Sequence, residues 1–551
     1  DAADFTRAIP VTILIMLATS YAFALLVSPL LAERVLKPRT RGAERSRMAR
    51  FGTRIGAFAV HHGAWVIGAG LVLVGLAGLA SRHVDRDFFP TTDRNQLVVD
   101  VYHAEGTPAE ATAKTVLELG EELDARPSVQ RVYQFAGSSG PRFYYNLNEN
   151  PRAPHVGRVV LETGSADDLE PLIDYVRDEA SLRWPGAQLV ARRLAQGPPA
   201  PAPVELRVLG QDRAALAQAA ETLTRLLRDI PGTADVRHNL GVGIPSLRFE
   251  IDDALADSRG LDRERVARAL AMQTQGVQVG TYRAGEDPVP IVLRSPQGVD
   301  FDLEQLVAVN AYAADRRAVP VMDTGQGALE WQPAVIHHWD LQPAVTVLSE
   351  LEEGVTYAGV YERLFERLDE TGLPPGIEIQ AGGYQESSGE ANTALYRTLP
   401  LGMLLLLFFL LLQFNSFRRV GIVLVTVPLA IVGVVPGLLL TGYAFGFMAL
   451  LGVIALVGIV VNNAIVLIDV VDAQLAEGAS IEQSVIAAVA RRTRPILLTT
   501  VTTVAGLLPL TFADSTLWPP MAWSIISGLI LSTLLTLGVV PALCRWLLRP
   551  A

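Results

Sequence analysis

Cysteine is all but absent from the chain: Cys544 is alone among 551 residues, so no disulfide can form within it. Cys544 closes an apolar run, where a small buried hydrophobe is expected rather than a reactive thiol. Charge is scarce as well. Charged residues make up 19% of the sequence against 50% hydrophobic ones, with a mean hydropathy of +0.30, too apolar for a soluble enzyme of this length and indicative of a membrane protein. The formal net charge is -11, which leaves no basic surface to neutralise phosphates and excludes nucleic acid as a partner. No P-loop, dinucleotide fingerprint, Ser/His/Asp or Cys/His arrangement is present, so this chain is not expected to be an enzyme or to hydrolyse ATP. His61-His62 and the "HHWD" stretch from His337 to Asp340 lack a third ligand at metal spacing. No metal site and no cofactor are expected. Nor does a charged n-region with a cleavage site follow Asp1, yet an apolar run begins at Ile9; the expectation is a chain that starts inside a longer protein.

What is present is long apolar runs. A bilayer core needs about 20 apolar residues per helix, and on that criterion seven spans are read at 9–31, 63–81, 395–413, 420–440, 444–470, 495–512 and 521–546. Basic residues crowd the loop after the first span (Arg34, Lys37, Arg39, Arg41, Arg45, Arg47, Arg50, Arg54) and recur at Arg418 and Arg419, at Arg491, Arg492 and Arg494, and at Arg545 and Arg549. The positive-inside rule makes these cytoplasmic and puts the block from Arg82 to Ala394 on the other side.

That block repeats a strand, an amphipathic helix, a turn often containing Pro-Gly, and a second strand. "NQLVVDVYH" and "VGRVVLETG" open the first two copies, "PVELRVLG" and "AVTVLSELE" the last two. Such units pair as β-α-β-β-α-β subdomains of the ferredoxin-like kind. Between the third and fourth copies, near Pro245 to Pro343, lies an insert with its own strand, helix and strand ("SLRFEIDD", "DRERVARALAMQ", "PVPIVLR"), read as a module grown from the second subdomain. Between the first two copies runs the loop "GSSGPRFYYNLNENPRAPH", whose Phe143, Tyr144 and Tyr145 suit contact with apolar ligands or pack beneath the loop.

Three polar groups interrupt the run "GIVVNNAIVLIDVV". A charge at the bilayer centre costs at least about 2.5 to 3.5 kcal/mol, so such groups should face the bundle interior. Asn462 and Asp469 share a helical face and Asn463 sits about 100° round from Asn462. Asp469 and Asp472 fall near the cytoplasmic end, within reach of water. Thr499, Thr500, Thr502 and Thr503 of the next helix are candidates for interhelical hydrogen bonds.

"GIVVNNAIVLID" followed by "EGASIEQSVIAAVARRTRPILLTTVTTVAGLLPL" resembles the tenth and eleventh membrane helices of the resistance-nodulation-division (RND) efflux transporters, specifically the hydrophobe and amphiphile exporters. "SPLLAERVLKP" is similar to the exit of their sixth helix, "DFFPTTDRNQLVVDVYHAEGT" to the start of their second periplasmic loop, and "QFNSFRRVGIVLVTVPLAIVG" to the link from eighth to ninth helix. The resemblance covers essentially the whole chain and identifies it as a C-terminal half, helices six to twelve. It implies a polytopic α-helical membrane protein with a large α+β periplasmic insertion: helix six at 1–35, a cytoplasmic segment at 36–62, helix seven at 63–81, a first porter subdomain at 82–200, a second split into 201–244 and 345–394, a docking-domain insert at 245–344, and helices eight to twelve at 395–551.

The resemblance further implies a homotrimeric inner-membrane pump of Gram-negative bacteria. Driven by proton flow without a cofactor, it would export apolar or amphipathic molecules with an adaptor protein and an outer-membrane channel, in contact with membrane lipids. Tyr133, Phe135, Phe143, Tyr144 and Tyr145 would line the drug pocket, with Gly137 to Asn150 as its switch loop. Of the family's proton relay, the arginine falls on Arg492 and the threonine on Thr499. The lysine falls on Asn462, beside Asn463, and a neutral amide cannot offset an ionised aspartate. Coupling would then use another cation such as Arg492, or other acidic groups or Na+, or the protomer would belong to a weakly coupled hetero-oligomer. A non-pumping lipid- or sterol-sensing or accessory protein is the alternative; two aspartates in the family's fourth helix would separate the two. With seven methionines and no Met cluster in the soluble block, a heavy-metal exporter of the same superfamily is disfavoured.

Overall fold

The computed structural model describes residues 2–35, 47–241, 243–285, 287–296, 303–513 and 515–548. Lys37, Arg39, Arg41 and Arg45 of the basic loop, and Arg549, lie outside them. Two compact units emerge, Asp1–Leu240 with His337–Ala551, and Gly241–Ile336.

The larger unit opens with α1 (Ala2–Val35), α2 (Arg47–His61) and α3 (Gly63–Ala80). Apolar on every side, α3 has the composition of a membrane-spanning helix. Then come β1 (Gln96–His103), α4 (Ala109–Asp124), β2 (Val129–Ala136), β3 (Val156–Thr163), α5 (Leu169–Tyr175) and β4 (Ala187–Arg193). The sheet order is β2-β3-β1-β4, antiparallel throughout, the order of a split β-α-β-β-α-β unit. Leu97, Val99 and Val101 of β1 pack on Val116, Leu119 and Leu123 of α4 and on Leu169 and Leu172 of α5, so the helices cover one face only.

The same plan recurs in β5 (Val204–Leu209), α6 (Arg213–Arg228), β6 (Thr233–His238), β7 (Gln342–Leu351), α7 (Tyr357–Thr371) and β8 (Glu378–Ala381). Here β6 and β5 both flank β7, and β8 closes the far side of β5. Asp212 caps α6 by accepting from the Ala214 amide at 2.9 Å. The Pro-Gly turns before β6 and β8 carry Gly232 at φ +89° and Gly376 at φ +80°, left-handed positions that favour glycine.

The second unit interrupts this plan between β6 and β7. Ile244–Ile251 pairs antiparallel with Gly325–Gln332, and Val277–Ala284 forms a hairpin with Asp287–Leu293. Its small core gathers Ala256, Leu261, Val266, Val309, Val319 and Val321.

The chain then returns to the larger unit with α8 (Gly383–Phe414), α9 (Phe417–Leu424), α10 (Thr426–Thr441), α11 (Phe447–Ala476), α12 (Ile481–Thr511) and α13 (Pro519–Leu547). Among the described residues, seven helical segments are long and apolar enough to cross a membrane, α9 and α10 together making one. The third begins at Gly383, earlier than the span read at 395–413, because the helix continues unbroken from the end of β8. The tightest packing joins α10 to α13. A Cβ on Gly433 would lie 2.5 Å from the Ser527 carbonyl oxygen and 2.7 Å from the Gly528 Cα, so the two backbones meet where no side chain fits, as small residues permit in membrane helices. Gly433→Leu is therefore expected to force these helices apart and cost about 3 kcal/mol or more; thermal unfolding of the detergent-purified protein should show a drop of several degrees, and an unchanged midpoint would refute the close contact.

Candidate functional site: the cleft between the two sheet subdomains

Side chains alternate along β1, so the residues between its core positions, Val98, Asp100 and Tyr102, lie on the face that no helix covers. Asp100 stands directly opposite Arg158 of β3. Arg158 Nε donates to Asp100 Oδ1 at 2.6 Å and Arg192 Nη2, from β4, donates to Oδ2 at 2.8 Å. Asp100 and Arg158 are each 1% exposed. The other Arg158 donors reach the carbonyls of Ser139 at 3.4 Å and Asn148 at 3.3 Å, while Asn150 donates to Tyr102 Oη at 2.9 Å and Asp100 Oδ1 at 3.3 Å. The loop between β2 and β3 is thus pinned to the sheet at three points by one buried carboxylate and its partners.

The aromatics of β2 and of the loop divide by environment. Phe135 and Tyr144 pack against Val98, Leu147, Val160 and Leu194 under the loop. Tyr145 stacks obliquely on Tyr144 with ring centres 4.7 Å apart, and its hydroxyl accepts from the Gly197 amide at 3.1 Å. Phe143 and Tyr133 are exposed. Asn146, buried, donates to the carbonyls of Gly197 at 2.6 Å and Pro198 at 3.0 Å.

A cavity of about 530 Å³ lies between the two sheet subdomains, walled by Asn146, Leu147 and Asn148 of this loop, by Arg177 and Arg192, by Glu350 and Val355, and by Asp85, Asp87 and Tyr384 near the membrane helices. Charge bridges it. Burial alone would lower the pKa of Arg192, but the carboxylates of Asp100 and Glu350 outweigh it and raise the value. Glu350 in turn accepts from Arg237 at 3.0 Å. Arg177 sits on a π-helical turn, Val176–Ala180, and faces Asp235 of β6, whose φ is +47°. Arg177 Nε and Asp235 Oδ2 are 3.9 Å apart, too far for a hydrogen bond, and neither atom has a hydrogen-bond partner among the described residues. Burial pushes the Asp235 carboxyl up to about 6; Arg177 pulls it down and Glu350 pushes it further up. Asp87 is likewise raised to about 6 by burial, against the pull of the Phe88 amide.

The second subdomain is bolted to α8. Arg207 donates to both Glu386 carboxylate oxygens, at 3.0 and 2.7 Å, and to Glu205 at 2.9 Å. Glu205 accepts from the Gly383 amide at 3.0 Å, and Tyr361 Oη donates to the Glu205 carbonyl at 2.7 Å. β5 and the start of this helix are therefore tied to each other by charge-assisted hydrogen bonds.

Within the membrane bundle, Asn463 is buried on α11, whereas Asn462 and Asp469 are exposed. Asp472 accepts from Arg419 at 2.9 Å. Arg492 is half-buried on α12, and exposed Thr499 donates to the Ile496 carbonyl of its own helix at 2.8 Å. Buried Thr500 makes the interhelical bond, to Thr533 of α13 at 2.9 Å. No hydrogen bond joins Asn462, Asn463, Arg492 and Thr499 to one another among the described residues.

Sequence reasoning missed the Asp100 cluster and the Arg177–Asp235 contact. A faint signal existed for the first: "VVDVY" and "VGRVV" each carry a single charge mid-strand on neighbouring strands, which calls for a cross-strand partner. The second joins residues that no local pattern connects.

Two consequences are measurable. Asp100→Leu leaves the buried Arg158 and the half-buried Arg192 guanidinium without their carboxylate, an expected loss of about 3 to 5 kcal/mol; denaturant unfolding should show it, with early proteolysis in the loop at 137–155. For Asp235, a folded pKa of about 6 against an ordinary 3.8 means that its stabilising contribution is complete below about pH 3.8 and is lost as pH rises through 6, up to roughly 3 kcal/mol in all. Thermal stability should therefore rise from pH 7.5 to pH 5, and Asp235→Asn should flatten that rise; an equal slope in the variant would assign the effect elsewhere.

Residues 2–547 match the AcrB/AcrD/AcrF family. The chain is 28% identical over 505 residues to the nickel-cobalt-cadmium resistance protein NccA of Alcaligenes xylosoxydans xylosoxydans, covering 88% of this chain and 46% of that protein. To the multidrug resistance protein MdtC of Salmonella paratyphi B it is 24% identical over 560 residues, covering 97% and 53%. In fold it is similar to a heavy metal efflux pump solved by X-ray crystallography, with a TM-score of 0.76 and 23% identity over 90% of this chain and 51% of that one. The chain thus spans about half the length of these relatives. Matched from its first helix to its last, the chain belongs to the AcrB/AcrD/AcrF family of RND transporters and is a multi-pass protein of the inner membrane.

Proposed function

We propose that this chain forms part of a proton-driven exporter of hydrophobic or amphipathic compounds, working as a trimer with a periplasmic adaptor and an outer-membrane channel. The observation that carries the reading is the cavity of about 530 Å³ between the two subdomains, one wall of which is the pinned loop that also presents Phe143 and Tyr145. Tyr133, Phe135 and Tyr144 belong to the same aromatic surface, the last two as its packed floor. Energy enters through the membrane helices, with Arg492 supplying the positive charge that Asn462 lacks and Asn463 and Thr499 completing the polar group. Asn462 is exposed on α11, and a polar group facing lipid is costly, so a further group of helices is expected to cover that side. The clamp from Arg207 to Glu386 carries movement of α8 to the second sheet.

Divalent metal cations are a second reading, favoured by the likeness to NccA and by Asp85, Asp87, Glu352 and Glu353 in the cavity wall. Scarcity of methionine counts against soft ions such as Cu(I), not against nickel, cobalt or zinc, which take nitrogen and oxygen ligands. Among the described residues, no three or more His, Cys, Asp or Glu side chains gather in a metal-holding group. One experiment separates the readings: cells expressing the full-length protein, its Arg492→Ala variant or neither are assayed for dye retention with and without a protonophore, and for growth in nickel, cobalt and zinc. Export reads as low dye retention that the protonophore and Arg492→Ala both abolish. Metal tolerance without dye export would instead select the cation reading, and no phenotype of either kind would select a sensing or accessory role.

A further inference from the structure

The amphipathic helix α2 takes no part in the cleft or in the relay, yet it has two well-defined faces. On one, Gly52 and Gly56 are buried against α12: a Cβ on Gly52 would lie 3.0 Å from the Ala490 Cα, and one on Gly56 3.2 Å from the Ile486 Cα. Ala59 and Val60 extend the same contact surface. Small residues four apart let the two helices touch backbone to backbone, so α2 is fixed to the bundle rather than free.

The other face carries Arg50 and Arg54, both exposed, with Phe51 49% and Phe58 58% exposed beside them. At three and four residues from each ring, Arg54 shares its surface with both. Phe58 stacks on His62 at 4.8 Å, just before α3 enters the membrane. Two other arginines at this end of the bundle find carboxylates, Arg419 meeting Asp472 at 2.9 Å and Arg545 meeting Glu482 at 2.8 Å. Neither Arg50 nor Arg54 has an acidic partner among the described residues. Around them the sequence from Arg34 to Arg54 holds eight Lys or Arg and a single acid, Glu44, in a chain whose net charge is -11.

We propose that this face of α2 is a docking surface for the headgroups of anionic phospholipids in the cytoplasmic leaflet. The partner follows from charge and shape together. A planar guanidinium donates two parallel hydrogen bonds to a phosphate, Phe51 and Phe58 enter the acyl boundary beneath it as the apolar side of an interfacial helix does, and a cluster of Lys and Arg just cytoplasmic of a membrane helix holds anionic lipid. Gly52 seats the helix on α12 at Ala490, within a turn of Arg492, and Gly56 seats it at Ile486, so lipid held on α2 braces that end of the helix.

The test is amide hydrogen exchange across residues 47–61 in the full-length protein, reconstituted in nanodiscs of phosphatidylcholine alone or with one part in five phosphatidylglycerol. Exchange is expected to slow by about fivefold or more with phosphatidylglycerol. Arg50→Gln with Arg54→Gln should remove that difference, and Arg50→Lys with Arg54→Lys should keep most of it. A charge-matched pair in the first sheet subdomain, Lys114→Gln with Arg131→Gln, should leave it intact. Equal exchange of the wild type in the two lipids, or an undiminished difference in the Gln variant, would overturn the proposal. Equal protection by inorganic phosphate in phosphatidylcholine discs would overturn it too, since the source would then be free anion rather than lipid.

Discussion

One carboxylate shared by two guanidiniums organises the first sheet subdomain. Asp100 lies almost wholly out of water, and a charge so placed is tolerated only with close partners and filled hydrogen-bond positions. Arg158 and Arg192 meet that demand from the two neighbouring strands, which reinforces the register of three strands at once. The donors left over on Arg158 then fix the loop at Ser139 and Asn148. From there the dependence runs outward: the loop places Asn146 and Leu147 in the cleft wall, and Arg192 turns toward Glu350 across it.

Much of the fold was legible because periodicity and composition report burial directly. Long apolar runs gave the seven spans, and alternation followed by an amphipathic helix gave both split β-α-β-β-α-β sheets, whose strand orders match. The start of α8 was not legible, since Gly383 to Ala394 is polar and reads as linker, while its helix is held by Arg207 and Glu205, residues far away in sequence. The site was less legible: none of the five predicted aromatics, Tyr133, Phe135, Phe143, Tyr144 and Tyr145, lines the cleft, whose wall carries charges of both signs. Arg177 and Asp235 lie on different subdomains, and only the packing of one sheet against the other brings them within 3.9 Å. Substrate class was least legible: a methionine count bears on soft cations only, a narrower exclusion than heavy metals as a whole.

The membrane helices pose the complementary problem. Thr500 and Thr533 satisfy each other between α12 and α13, and Arg419 and Asp472 do so nearer the cytoplasmic end. Asn462 and Asp469 have turned outward instead. The helices that carry internal partners are therefore those already packed together, and the outward polar face marks where packing is incomplete among the described residues. An amide at position 462 lowers the cost of that exposure relative to a lysine.

Charge across the cleft makes a weaker contact than apolar packing would. Two apolar walls in contact would gain stability in proportion to the area they bury, and opening them would expose that whole area to water at once. An ion pair gains less, because desolvation cancels much of its attraction, and each partner recovers hydration when separated. The Arg177–Asp235 contact has this loose character: 3.9 Å long, no hydrogen bond, and a carboxyl whose pKa of about 6 makes even its charge conditional. The tight Asp100–Arg158 pair lies within one subdomain, and the looser Arg177–Asp235 contact lies between two.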